Sequence, residues 1–147
     1  MNRTSASTRS AGSADLPAIR ALLVDCGLPP EGIEACIGHC RVVELDGRLV
    51  GCGAIEPCLG AVLLRSLAVS PTCRGRGIAA RLVETLEGDA RDIGAAELWL
   101  LTATAADWFA ARDYRPCARV EAPEGVRTHA QFQTLCPASA RLMRRLL

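Results

Sequence analysis

The stretch that most limits how this chain can fold is Ala61–Val69 (AVLLRSLAV), a mostly apolar run ended by Pro71 and followed by Arg74-Gly75-Arg76-Gly77. Such a run reads as a strand buried on both faces. Beyond the turn, Ile78, Ala79, Leu82, Val83, Leu86, Ala90 and Ile93 recur at the helical period, Gly94 stops the pattern, and Leu98 to Leu101 forms a second buried strand. A strand-helix-strand succession predicts a parallel, right-handed unit.

Around that unit the signals are those of a meander. Ser13-Ala14-Asp15-Leu16 sets a capping residue and an early acid ahead of Leu16, Ile19, Leu22 and Leu23, predicting an amphipathic helix that ends before Gly27. Pro29-Pro30-Glu31 opens a short helix through about Ile37, Arg41 to Leu45 turns β-like, and Asp46-Gly47 is a hairpin signal into a strand from Leu49 to about Pro57. Leu59-Gly60 makes the next turn. Downstream come a helix from about Ala105 to Arg112, a strand after Tyr114, an irregular or helical stretch around Val126 to Phe132, and a last strand within Ala138 to Leu147. The expected class is α/β: a mixed, mostly antiparallel sheet flanked by helices, with a central parallel β-α-β unit. Residues 13–147 read as one domain, and residues 1–12 as a flexible terminus or a first strand.

With 50% apolar residues and a net charge of +1, the chain of 147 residues is too hydrophobic to stay disordered. Its apolar runs fall short of the roughly 20 residues that a membrane-spanning helix needs. Near-neutrality leaves no electrostatic footprint for nucleic acid, and because all 17 basic residues are Arg, no single Arg is distinctive. The opening MNRTSASTRSAGS has no apolar export signal, so the eight Cys read as reduced thiols of a cytoplasmic protein.

The chemistry concentrates at the glycine turn. A helix starting at Gly75 to Gly77 leaves its first N–H groups unpaired, and glycine lets the backbone close around an anion, phosphate being the natural guest. Arg74 and Arg76 add charge beside it. A plain tight turn into a helix fits the spacing equally well. A phosphate-binding P-loop is excluded because no Lys-Ser/Thr follows the glycines. Gly75, Gly77 and Ala80 match the dinucleotide pattern G-x-G-x-x-A, but the loop is long, Glu97 begins a strand instead of ending one, and the remainder is a meander.

Leu67-Ala68-Val69-x-Pro71 followed by Arg74-x-x-Gly77-x-Ala79 resembles the acetyl-coenzyme A motif of the GNAT (GCN5-related) N-acetyltransferases, R/Q-x-x-G-x-G/A after a bulged strand. The resemblance covers fold order from about Ser13 to Leu147. It implies that the amides of Arg74, Gly75, Arg76, Gly77, Ile78 and Ala79 hold the pyrophosphate of acetyl-CoA, without a metal. It also implies that the backbone of Leu67, Ala68 and Val69 pairs with pantetheine like an added strand.

A narrower set, Leu100-Leu101-Thr102-x-Thr104-Ala105-Ala106-x-Trp108-Phe109-x-x-Arg112-x-Tyr114 and Phe132-x-x-Leu135-Cys136-Pro137-x-Ser139-Ala140-x-x-Met143, is similar to the arsenic-resistance N-acetyltransferases, relatives of N-acetylglutamate synthases. That likeness implies a small amino-acid acceptor, such as a glutamate analogue bearing an arsenic or phosphorus acid group (arsinothricin or phosphinothricin); an N-acetylglutamate synthase-like enzyme is the alternative within the same chemistry.

Acetyl transfer needs a neutral amine, a polarised thioester carbonyl and a tolerated leaving thiolate. A backbone N–H near Val69 is the candidate for polarising the carbonyl. Glu56 is the candidate base, through water, against the reading of a solvated strand residue. The position at which the family often carries a Tyr proton donor, five residues before Tyr114, is Phe109, and Asp113 stands where a Gly is usual. Arg65, charged within an apolar strand, needs a partner: an acid group of the acceptor, or one of the nine Glu. Regular pleating turns Ser66 to the opposite face unless a bulge intervenes. Arg127 and His129 lie in a segment able to close over the acceptor, or simply on the surface.

Two rival functions remain. Cys36-x-x-x-Cys40 with His39, joined by Cys136, would make a thiol module for arsenic(III) or a soft metal, though Gly38 and a strand start at Cys40 spoil the shared helical face. Alternatively, the domain binds acetyl-CoA as a signal without transferring it. The apolar C-terminal strand offers pairing across a homodimer.

Overall fold

The computed structural model describes residues 6–136 and 138–147. In chain order its elements are β1 (Ser7–Ser10), α1 (Leu16–Asp25), β2 (Cys40–Leu45), β3 (Arg48–Cys58), β4 (Ala61–Val69), α2 (Ile78–Asp92), β5 (Glu97–Thr102), α3 (Ala106–Ala110), β6 (Arg115–Cys117), α4 (Glu124–Arg127) and β7 (Arg141–Leu146). The strands run in the order β1-β2-β3-β4-β5-β7-β6. This is the expected mixed sheet: β4 and β5 pair in parallel at Leu63↔Trp99, and β1–β2, β2–β3, β5–β7 and β6–β7 are antiparallel. No described helix is long and apolar enough to cross a membrane.

The chain resolves into two compact units, Met1–Ile55 with Ser66–Asp89, and Glu56–Arg65 with Ala90–Leu147. In the first, Ile19, Leu22 and Leu23 of α1 pack with Ile33, Cys36, Val42, Cys52 and Ala54. The cap of α1 differs from expectation. Ser13 makes no capping bond, and Asp15, at the N-cap position, makes no side-chain bond into the helix; its carboxylate accepts the Gly12 N–H at 2.8 Å and Arg9 Nη1 and Nη2 at 2.8 Å, fastening β1 to the helix start. Asp46 and Gly47 both take positive φ (56° and 73°), as a two-residue hairpin turn requires. Helix α2 comes close to the sheet because β3 carries glycines: a Cβ at Gly53 would lie 2.8 Å from Leu86 Cδ1, and one at Gly51 3.0 Å from Ile78 Cγ2.

In the second unit Ala61, Leu63, Trp99, Ala122, Val126 and Leu142 form one buried cluster. Gly94 ends α2 with φ 85° and a paired closure, Gly94 N–H to Arg91 C=O and Ala95 N–H to Ala90 C=O, each 2.9 Å. Ile93, expected in the helix, therefore falls just beyond it. The next helix is also shorter than predicted, because Asp113 (φ 71°) repeats the same closure through Asp113 N–H to Ala110 C=O and Tyr114 N–H to Phe109 C=O, each 3.2 Å. β7 lies between β5 and β6, so over Leu142–Arg144 both its edges are engaged within the chain.

Candidate functional site

The first unit contains the glycine turn and the end of β4. Helix α2 begins at Ile78 and not within Gly75 to Gly77; its first closed bond runs from Arg81 N–H to Gly77 C=O at 3.1 Å. Both glycines sit in the left-handed region, at φ 80° and 76°, and a Cβ on either meets nothing within 4 Å. The turn is therefore lined by backbone, and the amides of Gly77, Ile78 and Ala79 precede the first closed helical bond, where anions are stabilised. Arg76 is exposed beside them.

Along β4 the pleat is broken at Ser66, which has φ 59° and whose carbonyl accepts the Cys52 thiol at 3.3 Å. This bulge replaces the regular alternation expected for Arg65 and Ser66 and resets the side chains of Leu67, Ala68 and Val69. Ser70 N–H bonds Val50 C=O on β3 at 2.8 Å, so strand alternation turns the N–H and C=O of Val69 to the other edge of β4. The Val69 carbonyl there accepts Arg74 Nε at 3.2 Å and Cys26 Sγ at 3.5 Å. Nothing in the sequence signals that α1-end thiol, 43 residues away in the chain.

The second unit brings together three residues that the sequence presented separately. Glu56 Oε1 accepts Arg65 Nη1 at 2.9 Å, and Glu56 Oε2 lies 3.0 Å from His129 Nε2, with side-chain exposures of 21%, 2% and 10% for Glu56, Arg65 and His129. Of the two readings of Arg65, the internal ion pair is the one present, and Glu56 is not a solvated strand residue. The Gln131 N–H donates to His129 Nδ1 at 3.0 Å. An amide N–H can only donate, so Nδ1 is the acceptor and the proton sits on Nε2, facing the carboxylate. The π-helical turn Gln131–Leu135 supplies that amide.

Gln131 Oε1 also accepts the Cys136 thiol at 3.1 Å; burial pushes that thiol up, against the lowering influence of Arg65 and Arg119. Arg127 is exposed at the end of α4, its N–H donating to Pro123 C=O at 2.9 Å and its carbonyl accepting Gln133 Nε2 at 3.0 Å, and none of these contacts joins it to this cluster.

The residues of the narrower motif pack. Phe109 is buried edge-on between Trp108 (5.0 Å) and Tyr114 (5.3 Å), and the Arg112 guanidinium lies 3.7 Å over the Trp108 ring. Arg119 lies over Phe132 and reaches the carbonyls of Ala138 and Ala140; Pro137 is outside the described residues. Cys36 and Cys40 donate to the carbonyls of Ile33 and Arg41, and Cys40 starts β2, so the two do not share a helical face. Among the described residues no group of three or more His, Cys, Asp or Glu is arranged to hold a metal.

Residues 16–117, more than half of the chain, match the model of the acetyltransferase (GNAT) family. An amino-acid acetyltransferase of Neisseria meningitidis is 34% identical over 127 residues, covering 80% of this chain and 29% of that protein. One from Azotobacter vinelandii is 38% identical over 88 residues, covering 58% of this chain and 20% of that protein. The chain thus spans under a third of the length of these curated relatives. The N-acetylglutamate synthase of Neisseria gonorrhoeae, solved with coenzyme A and N-acetyl-glutamate, superposes with a TM-score of 0.83 at 29% identity, over 99% of this chain and 36% of that one. Rv2747 from Mycobacterium tuberculosis shares the fold, with a TM-score of 0.82 at 24% identity over 96% of this chain and 99% of that one.

Proposed function

Because the chain belongs to the acetyltransferase (GNAT) family, we propose that it moves the acetyl group of acetyl-CoA to the amine of a small amino-acid-like acceptor. The observation that carries this reading is the backbone-lined turn at Gly75 and Gly77, opening onto the N-terminus of a 15-residue helix directly after the β4 bulge. The diphosphate of the cofactor rests on the amides of residues 74–79, and its pantetheine arm pairs with the backbone of Leu67, Ala68 and Val69. The relatives named amino-acid acetyltransferase and N-acetylglutamate synthase support an amino acid as acceptor. Glutamate, or a glutamate analogue with an arsenic or phosphorus acid group such as arsinothricin or phosphinothricin, is the acceptor we favour.

In this reading Glu56 takes a proton from the acceptor ammonium through water, and the freed amine attacks the thioester carbonyl. The Val69 N–H stabilises the tetrahedral oxyanion, whose collapse breaks the C–S bond and releases coenzyme A as thiolate. The attacking nitrogen sheds its second proton to water as the neutral amide forms, and because buried Phe109 has no proton to give, the thiolate takes its proton from that water. Arg65 and His129 hold the Glu56 carboxylate in one orientation, while Ser66 and Arg127 remain as candidate acceptor contacts.

The test is incubation with acetyl-CoA and glutamate, phosphinothricin or arsinothricin. Product is followed by chromatography because the eight cysteines would react with a thiol dye. Turnover with at least one acceptor is expected. Tight cofactor binding with no turnover favours the sensing alternative, which the absence of a hydroxyl at Phe109 keeps in view.

A further inference from the structure

We propose that Arg74 and the pantetheine arm compete for the carbonyl of Val69, so that a diphosphate, by drawing Arg74 away, opens the edge of β4 to the rest of the cofactor. The inference rests on the cofactor reading above and adds an order to it.

The Val69 oxygen accepts two donors, Arg74 Nε at 3.2 Å and the Cys26 thiol at 3.5 Å, and Arg74 Nη2 is itself 3.6 Å from Cys26 Sγ. A carbonyl oxygen has two lone pairs, and both are in use. With Ser70 N–H committed to Val50, this oxygen lies on the β4 edge that an extended ligand would pair with. An incoming amide N–H would be a third donor, and one of the two must leave. Arg74 is the one with somewhere better to go. It is exposed and opens the turn whose glycines leave room, and a guanidinium binds a phosphate through paired, charge-assisted hydrogen bonds stronger than one bond to a neutral carbonyl. After that exchange Val69 keeps only the weak thiol donor and regains a lone pair. The two ends of the cofactor therefore bind with positive coupling, and linkage makes the coupling reciprocal.

Calorimetry on the full chain with two fragments, adenosine 3′-phosphate 5′-diphosphate and pantetheine, tests this. Saturating nucleotide fragment should tighten pantetheine binding about fivefold or more, and pantetheine should tighten the nucleotide by the same factor. In Arg74→Met, an exposed position whose fold is checked by its melting temperature, pantetheine alone should bind more tightly than to the wild type and ignore the nucleotide. Wild-type pantetheine binding indifferent to nucleotide, or coupling that survives in Arg74→Met, overturns the competition. Intact coenzyme A is titrated in parallel. If it fails to bind, the cofactor reading itself falls; if it binds while the fragments stay uncoupled, only the role of Arg74 is lost.

Discussion

The carbonyl of Cys58, at the end of β3, occupies the space that a side chain on Gly125 would need: an ideal Cβ there would sit 1.8 Å from the oxygen and 2.6 Å from the carbonyl carbon. This backbone-to-backbone approach seats α4, and with it the segment carrying His129 and Gln131, against the turn that joins β3 to β4. Gly125→Ala must push the two apart, since the obstacle is main chain and cannot rotate away. We expect a loss of about 2–4 kcal/mol in denaturant unfolding, and a loss under about 0.5 kcal/mol would show that the contact is not tight.

Glu56, the proposed base, is also a structural anchor. Glu56→Gln leaves the nearly buried Arg65 guanidinium without its carboxylate, and removing one member of such a pair costs about 3 kcal/mol. The double variant Glu56→Gln/Arg65→Met should recover much of that loss. Equal, additive losses in the cycle would mean that the two residues are not coupled.

The tautomer of His129 can be read directly. Nitrogen NMR near neutral pH should find its proton on Nε2 and none on Nδ1. His129→Gln, which can still donate, should preserve more acetyl transfer than His129→Phe, and the apparent affinity for acetyl-CoA should be the same in both.

Asp113→Gly should be stabilising. Asp113 holds φ 71° in a helix closure where glycine has no steric cost, and its carboxylate is 85% exposed, 3.9 Å from Arg145. A gain of about 0.5–1 kcal/mol is expected in the melting curve, and a loss would mean that the Arg145 contact outweighs the backbone.

Acid should unlock the first strand. The Arg9 guanidinium, and then the Gly12 N–H, hold the Asp15 carboxyl at about 2, below its ordinary 3.8. A lowered folded-state value means that the contribution is complete above about 3.8 and lost as pH falls through about 2. Asp15→Asn should therefore cost about 1 kcal/mol near neutrality, kept small because Arg9 is partly in water, and the gap to wild type should close towards pH 2. A gap independent of pH would contradict the assignment.

The elements most readable from the sequence were those whose signal is local. Apolar periodicity located α1 and α2, Asp46-Gly47 located its hairpin, and the spacing of Pro71, Arg74, Gly77 and Ala79 located the turn before α2. Boundaries slipped where local closures decided them: α1 starts at Leu16, with Asp15 bonding back to Gly12 and Arg9 and not into the helix, and Asp113 closed α3 early. Arg65 was legible as a charge in need of a partner, but not which of nine glutamates would answer.

Sequence alone thus specified a mixed sheet around one parallel unit and a glycine turn of open backbone before α2, because hydrophobic period and glycine conformation act over a few residues. The bond from Glu56 to His129, the Cys26 thiol on the Val69 carbonyl, and the seating of Gly125 on Cys58 join residues tens of positions apart. Such pairings depend on how strands and turns pack in three dimensions, and no pattern in the chain encodes the distance between two side chains that meet only after folding.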